Sequence, residues 1–205
     1  MKNKIKFIFH IILHPADGFW DMKREKRGSI PICLALIALQ FLTMLINEYN
    51  VGFIFDSSVG KTADIGFLLA VAVLPIFLFA LANLSITTFL EGEGNFKDIF
   101  MMACYALTPS IIIRIITTVL TNVLSLDEQT YIAVLSIISV VWVVLLLFVG
   151  IMEVHNYSTP RAVASALLTI VAMAIIIFIL LLFLDMVSRI FGFGYSVFQE
   201  LEMRI

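Results

Sequence analysis

Charge is scarce in this chain, and that scarcity excludes most of what a 205-residue protein could be. Charged residues make up 14% of the sequence, against about 25% in an ordinary soluble domain. Hydrophobic residues reach 61%, above the usual 45 to 50% or so, and the mean hydropathy is +1.08. A water-soluble globular fold is therefore excluded. Cysteine is nearly absent too. Cys33 and Cys104 are the two in the chain, and both fall inside apolar runs, where a small buried packing role is expected rather than a disulfide or a reactive thiol. No stretch of polar sequence is long enough for a soluble domain, so nothing here reads as an enzyme core or a nucleic-acid-binding module.

What the chain does have is five long apolar runs, at residues 30 to 47, 65 to 90, 99 to 124, 131 to 152 and 162 to 184. Each is near or above the roughly 18 residues that cross a bilayer as a helix. In lipid the backbone must satisfy its own hydrogen bonds, so each run is expected to be helical. The predicted fold is an all-α polytopic membrane bundle of five transmembrane helices, forming a single domain over residues 1 to 205. An N-terminal interfacial helix and a C-terminal amphipathic segment complete it.

The first basic segment, MKNKIKFIFHIIL, is too short for a signal peptide core and lacks a small-residue cleavage site, so it reads as a retained interfacial segment. Residues 16 to 27 follow Pro15 and set Phe19, Trp20 and Met22 beside Lys23, Arg24, Lys26 and Arg27, a mixture suited to the headgroup layer. At the far end Val187, Ile190, Phe191, Phe198, Leu201 and Ile205 recur at helical spacing, with Gly192 and Gly194 as an expected break.

Positive charge is distributed very unevenly. Lys2, Lys4, Lys6, Lys23, Arg24, Lys26 and Arg27 all precede the first span. With the N-terminus in the cytoplasm, Lys97 and Arg161 join them inside, while Lys61, Arg189 and Arg204 lie outside. The positive-inside rule therefore predicts a multi-pass protein of the cell membrane with its N-terminus cytoplasmic and its C-terminus outside.

Helix punctuation agrees with the spans. Ser29 with Pro31, Asn95 with Asp98, Ser125 with Glu128, and Thr159 with Pro160 mark the starts of the first, third, fourth and fifth. The short inner links predict antiparallel hairpins of spans two with three and four with five. Pro75 and Pro109 inside the second and third spans predict kinks.

Several apparent motifs carry little. Val59, Gly60, Lys61 and Thr62 match the tail of a phosphate-binding loop, but Phe55 stands where its first glycine belongs. The glycosylation triplets at Asn83 and Asn156 lie in a span and in a cytoplasmic link. His10, His14, Asp17, Glu91, Glu93, Glu153 and His155 gather near the inner face without metal-site spacing, so no metal, cofactor or catalytic residue is assigned.

Arg114 is the one clear charge within a span, where insertion costs about 2.5 to 3.5 kcal/mol at the helix centre. It is expected to snorkel outward or to lock helices together, with Glu48 or Asp185 within reach as a partner, in preference to serving as a gating or substrate-binding charge. Asn83, Thr87, Thr88, Tyr105 and Thr108 are expected to hydrogen-bond across the hairpin of spans two and three.

Three segments together carry a family resemblance. They are HPADGFWDMKREKRGS at 14 to 29, GEGNFKDIFMMACYALTP at 92 to 109 and LFVGIMEVHNYSTPRAV at 147 to 163. With the five-span plan, the chain resembles the bacterial branch of the Yip-domain family. Eukaryotic relatives act in vesicle trafficking and associate with Rab GTPases and with one another, so the resemblance implies a non-enzymatic scaffold or accessory role. The relatives' long N-terminal region has no counterpart here, and Rab binding is not carried over.

All three segments fall at or beside the inner face. A binding surface is therefore expected from Phe19, Trp20, Lys23, Glu25, Lys26, Arg27, Glu91, Glu93, Lys97, His155 and Tyr157. The expected partners are membrane lipid and a membrane protein or a second copy of the chain, not nucleic acid. The competing expectation is a small permease or channel, with a polar path through spans two and three joining Asn83 to Arg114.

Overall fold

The computed structural model describes residues 2–50 and 64–202. The Val59–Thr62 stretch with Lys61 lies outside the described residues. The elements are α1 (Lys2–Leu13), α2 (Pro15–Arg24), α3 (Ile30–Asn50), α4 (Ile65–Leu90), α5 (Phe96–Ala106), α6 (Thr108–Thr121), α7 (Gln129–His155) and α8 (Thr159–Glu202), with a 3-10 turn at Leu126–Glu128 before α7. No strand occurs among the described residues. Among the described residues five stretches are long and apolar enough to cross a membrane: Ile30–Asn50, Ile65–Leu90, Phe96–Thr121, Gln129–His155 and Thr159–Phe193. The protein is an all-α, multi-pass membrane bundle.

Local chemistry explains the boundaries. Asp64, a cap not anticipated from the sequence, accepts from the backbone N–H groups of Gly66 and Phe67 and starts α4. Glu128 reaches back to the Ser125 N–H at 3.0 Å, half of a capping box, and tightens the turn before α7. Asn95 occupies the N-cap of α5, but its side chain makes no capping bond; its carbonyl receives Asp98 and Ile99 instead.

The two prolines act differently. The third span is broken at Leu107 into α5 and α6, because Pro109 fits the first turn of a new helix and cannot continue the old one. The Thr108 hydroxyl donates at 2.8 Å to the Tyr105 carbonyl, the acceptor that the proline nitrogen cannot serve, while the Ser110 hydroxyl adds a 2.7 Å bond to the Leu107 carbonyl that already receives the Ser110 and Ile111 N–H groups. α4 runs through Pro75 without interruption, and Pro75 lies on its exposed face.

The amphipathic α1 folds back against the bundle. Its Phe7 and Ile11 are buried, Phe7 meeting the ring of Tyr105 edge-on with centroids 6.0 Å apart. Gly18 on α2 permits this fold-back, since a Cβ there would come 2.8 Å from the Ile11 Cα.

Two expectations about the last span are corrected. α8 contacts α7, its expected hairpin partner, but packs most extensively on α4. Small and polar residues at Ala162, Ser165 and Thr169 recur on its buried face and let the two helices approach closely. Nor does a separate amphipathic segment begin after residue 185. α8 continues to Glu202 through both Gly192 and Gly194, because each glycine costs only about 1 kcal/mol and a long apolar helix absorbs it. Each residue from Ile177 to Leu184 is exposed, so this part of α8 stands clear of the other described residues and offers every side to lipid.

Candidate functional site at the basic end of the bundle

α1 and α2, the start of α3, the α4–α5 link and the α7–α8 link share one end of the bundle, and they interlock there. The three sequence segments that carry the family resemblance meet at this junction. α4 and α7 terminate alike: Glu91 and Asn156 both adopt left-handed backbone at φ 56°. The Gly92 N–H then donates to the Thr87 carbonyl and the Tyr157 N–H to the Met152 carbonyl.

The two links are pressed together. A Cβ on Gly92 would collide with the Tyr157 hydroxyl and the Thr87 methyl, and one on Gly94 would lie 2.5 Å from His155 Cε1. The His155 and Tyr157 rings stack with centroids 5.1 Å apart. Only glycine at both positions allows this approach.

A directional chain of hydrogen bonds runs through the contact. The Gly94 N–H donates to His155 Nδ1 at 3.2 Å, and His155 Nε2 meets Asn83 Oδ1 at 2.7 Å. Asn83 Nδ2 donates to Thr169 Oγ1 at 3.0 Å, and Thr169 donates to the Ser165 carbonyl at 2.7 Å. Because Nδ1 accepts, His155 is the neutral imidazole with its proton on Nε2. One side chain thus ties the α4–α5 link and α7 to α4, and through Asn83 to α8.

Lys23 closes the junction from α2. Its ammonium donates to the Val154 carbonyl at 2.7 Å, near the C-terminus of α7 where a cation is favoured, and to Glu93 at 3.3 Å. Arg24 also donates to Glu93, at 3.1 Å. The Lys23 hydrogen bond and charge hold the Glu93 carboxyl below the usual carboxylate range. Burial pushes the Tyr157 phenol up, so it stays protonated.

The expected inner-face surface therefore divides in two. Phe19 is 0% exposed and His155 1%, with Tyr157 also buried; these three are interior packing and hydrogen-bonding groups, not surface. Lys23 and Glu93 are brought together as a clasp. Trp20 is 48% exposed, and Glu25, Lys26, Arg27, Glu91 and Lys97 are exposed with it. Arg27 is engaged by Asp21 at 2.8 Å and Glu25 at 2.7 Å. Among the described residues no group of three or more histidine, cysteine or acidic side chains converges as a metal site would require.

The hairpin hydrogen bonds also differ from expectation. Thr87, Thr88 and Thr108 donate to carbonyls three or four residues back in their own spans, since a short hydroxyl reaches the preceding turn more readily than a neighbouring span. Asn83 does bond across helices, but its partners are on α7 and α8. Sequence reasoning missed Gly94, Thr169 and the Val154 carbonyl. The close pair Gly92 and Gly94 was the available signal, because paired glycines in a short link mark close backbone approach.

Arg114 stands apart, in the other half of the bundle. Asp185 pairs with Arg189 on its own helix at 2.8 Å, and no carboxylate pairs with Arg114 among the described residues.

The model of the Yip1 domain matches residues 9–182, most of the chain and all three converging segments. The chain belongs to the Yip1 domain family. No curated protein and no solved structure matches it. In this Yip1-family member the matched region begins within α1, at residue 9, and takes in α2, both links and the α4–α8 contact.

Proposed function

We propose that this Yip1-family protein is a non-catalytic scaffold or accessory protein of the cell membrane. Its basic end faces the cytoplasm and engages anionic lipid headgroups, with a partner membrane protein or a second copy as the further occupant of that face. The observation that carries this reading is the division of the basic end into a locked interior and an exposed rim. Inside, both His155 ring nitrogens are engaged and the two cysteines are buried. Outside, Trp20, Lys26 and Lys97 are exposed together with Phe9 and Leu13 of α1, the residue types that anchor at an anionic interface.

The permease reading has less support. A polar path would have to join Asn83 to Arg114, yet between His155 and Val144 α7 carries the buried apolar residues Ile151 and Leu146. That interval is about 16 Å long by helical rise.

The lipid interaction can be read from Trp20 itself. In a Trp142→Phe background it is the sole tryptophan, and headgroup-labelled anionic lipid should quench it more than labelled zwitterionic lipid in vesicles of either composition. Lys26→Asn with Lys97→Gln should lower that preference by up to about fivefold per cation, following about 1 kcal/mol for each cation near the surface. Equal quenching by both lipids, unmoved by the double substitution, would overturn the proposal. Its orientation is tested separately. A reporter fused after Ile205 should be active only outside the cytoplasm, because nine positive charges precede or link the spans on the inner side and three on the outer; cytoplasmic activity reverses the assignment.

A further inference from the structure

A cavity of about 650 Å³ opens between α3, α6 and α7, away from the basic end. Its walls are unusually polar for the interior of a membrane bundle. Gln40 and Asn47 come from α3, Arg114 and Thr117 from α6, and Ser136 and Ser139 from α7, while Val140, Val143 and Val144 supply an apolar side. Arg114 lies seven residues before the end of α6 at Thr121, about 10 Å by helical rise, which keeps it within the membrane-crossing stretch.

Two buried atoms on this wall lack partners. They are Arg114 Nε and Gln40 Oε1. The surrounding hydroxyls do not answer them: Thr117 and Thr118 both donate to the Arg114 backbone carbonyl, at 3.0 and 2.8 Å, and Ser136 donates to the Ile132 carbonyl. The single Thr118 hydroxyl proton is shared between the Arg114 carbonyl and Asn47 Oδ1, also at 2.8 Å, which ties α3 to α6 beside the cavity. The result is a preformed recess with one uncompensated cation, one open acceptor and an apolar flank.

A guanidinium fork is matched by phosphate or carboxylate, an open acceptor by a hydroxyl, and a valine-lined flank in a bilayer by an acyl chain. We propose that this cavity binds an anionic amphiphile, its phosphate on Arg114, a headgroup hydroxyl on Gln40 and its chain along Val140, Val143 and Val144. The site is separate from the basic end and does not depend on the function assigned there.

Dihexanoyl phosphatidylglycerol supplies all three features and serves as the probe, added to the full-length protein in neutral detergent and followed by titration calorimetry. The Lys26→Asn/Lys97→Gln background removes the basic-end contribution. Dihexanoyl phosphatidylcholine, which lacks net charge and the hydroxyls, should bind at least about tenfold more weakly, a difference of about 1.4 kcal/mol. Arg114→Gln should weaken the phosphatidylglycerol interaction by a similar factor, and Arg114→Lys should retain most of it. Ser136→Phe projects a ring from an exposed lining position across the recess with the guanidinium intact, so it should block binding without disturbing the core. It keeps the test decisive if Arg114→Gln fails to fold. Displacement of the probe by millimolar inorganic phosphate assigns the anion site to a soluble phosphate, and resistance to displacement assigns it to a lipid. Equal binding of the two lipids, or undiminished binding in Ser136→Phe, would overturn the proposal.

Discussion

Gly94→Ala should unfold the basic end of the bundle at a temperature or denaturant concentration where the unmodified protein is intact. The added Cβ would lie 2.5 Å from His155 Cε1, 2.7 Å from Nδ1 and 2.9 Å from a Val154 methyl. None of these neighbours yields easily. The imidazole is held by bonds at both nitrogens, and Val154 is buried beside the carbonyl that receives Lys23. Overpacking alone costs about 1 to 3 kcal/mol, and displacing the ring strands Asn83 Oδ1 and the Gly94 N–H, at about 1 to 3 kcal/mol for each buried group left unpaired. A total loss of about 3 to 5 kcal/mol would remove most of a small protein's margin. Gly192→Ala is the matched control, since a Cβ there meets nothing within 4 Å and the helix gains up to about 1 kcal/mol from alanine. Thermal unfolding in detergent separates the two. If both variants melt like the parent, the close packing of the α4–α5 link on His155 is refuted.

The contrast between these glycines shows what the sequence made legible. Five spans stand out because a bilayer demands about 20 apolar residues in a row, and only lipid-crossing helices satisfy that demand in a chain with so few charges. Helix starts were legible wherever a local signal suffices, as at Ser125 with Glu128 or at Thr159 with Pro160. Partnership between distant segments was not. Phe19 sits among charges in sequence and reads as surface, yet α2 packs on α7 and places it in the core beside Gly150 and Met102. His155 reads as an exposed link residue for the same reason; its burial depends on Asn83, 72 positions away. The end of α8 was misjudged in the opposite sense, because a local glycine signal was weighed above the cooperativity of a 44-residue helix. For Arg114 a carboxylate was sought on neighbouring helices, where the fold supplies a recess instead.

Substituting Asn83 and His155 separately and together should show that they form one unit. Asn83→Leu leaves the His155 Nε2–H without an acceptor and Thr169 Oγ1 without its donor, while His155→Phe leaves Asn83 Oδ1 and the Gly94 N–H unpaired. Hydrogen bonds between membrane helices average about 0.6 kcal/mol by double-mutant cycles and reach about 1.7. The network has four consecutive buried bonds, each polarising the next, so its coupling is expected near the top of that range. Each single variant should lose about 2 kcal/mol, and the double variant should be more stable than the sum of the two losses by about 1 to 2 kcal/mol, because removing both partners leaves fewer stranded groups than removing either. Thr169→Val should cost less than Asn83→Leu, since it removes the acceptor of Asn83 Nδ2 and the donor to the Ser165 carbonyl but preserves the bond to His155. Reversible unfolding in mixed detergent measures all four variants against the parent. Strict additivity of Asn83→Leu and His155→Phe would mean that the imidazole and the amide do not share a bond, and that α4, α7 and α8 are held at this end by packing alone.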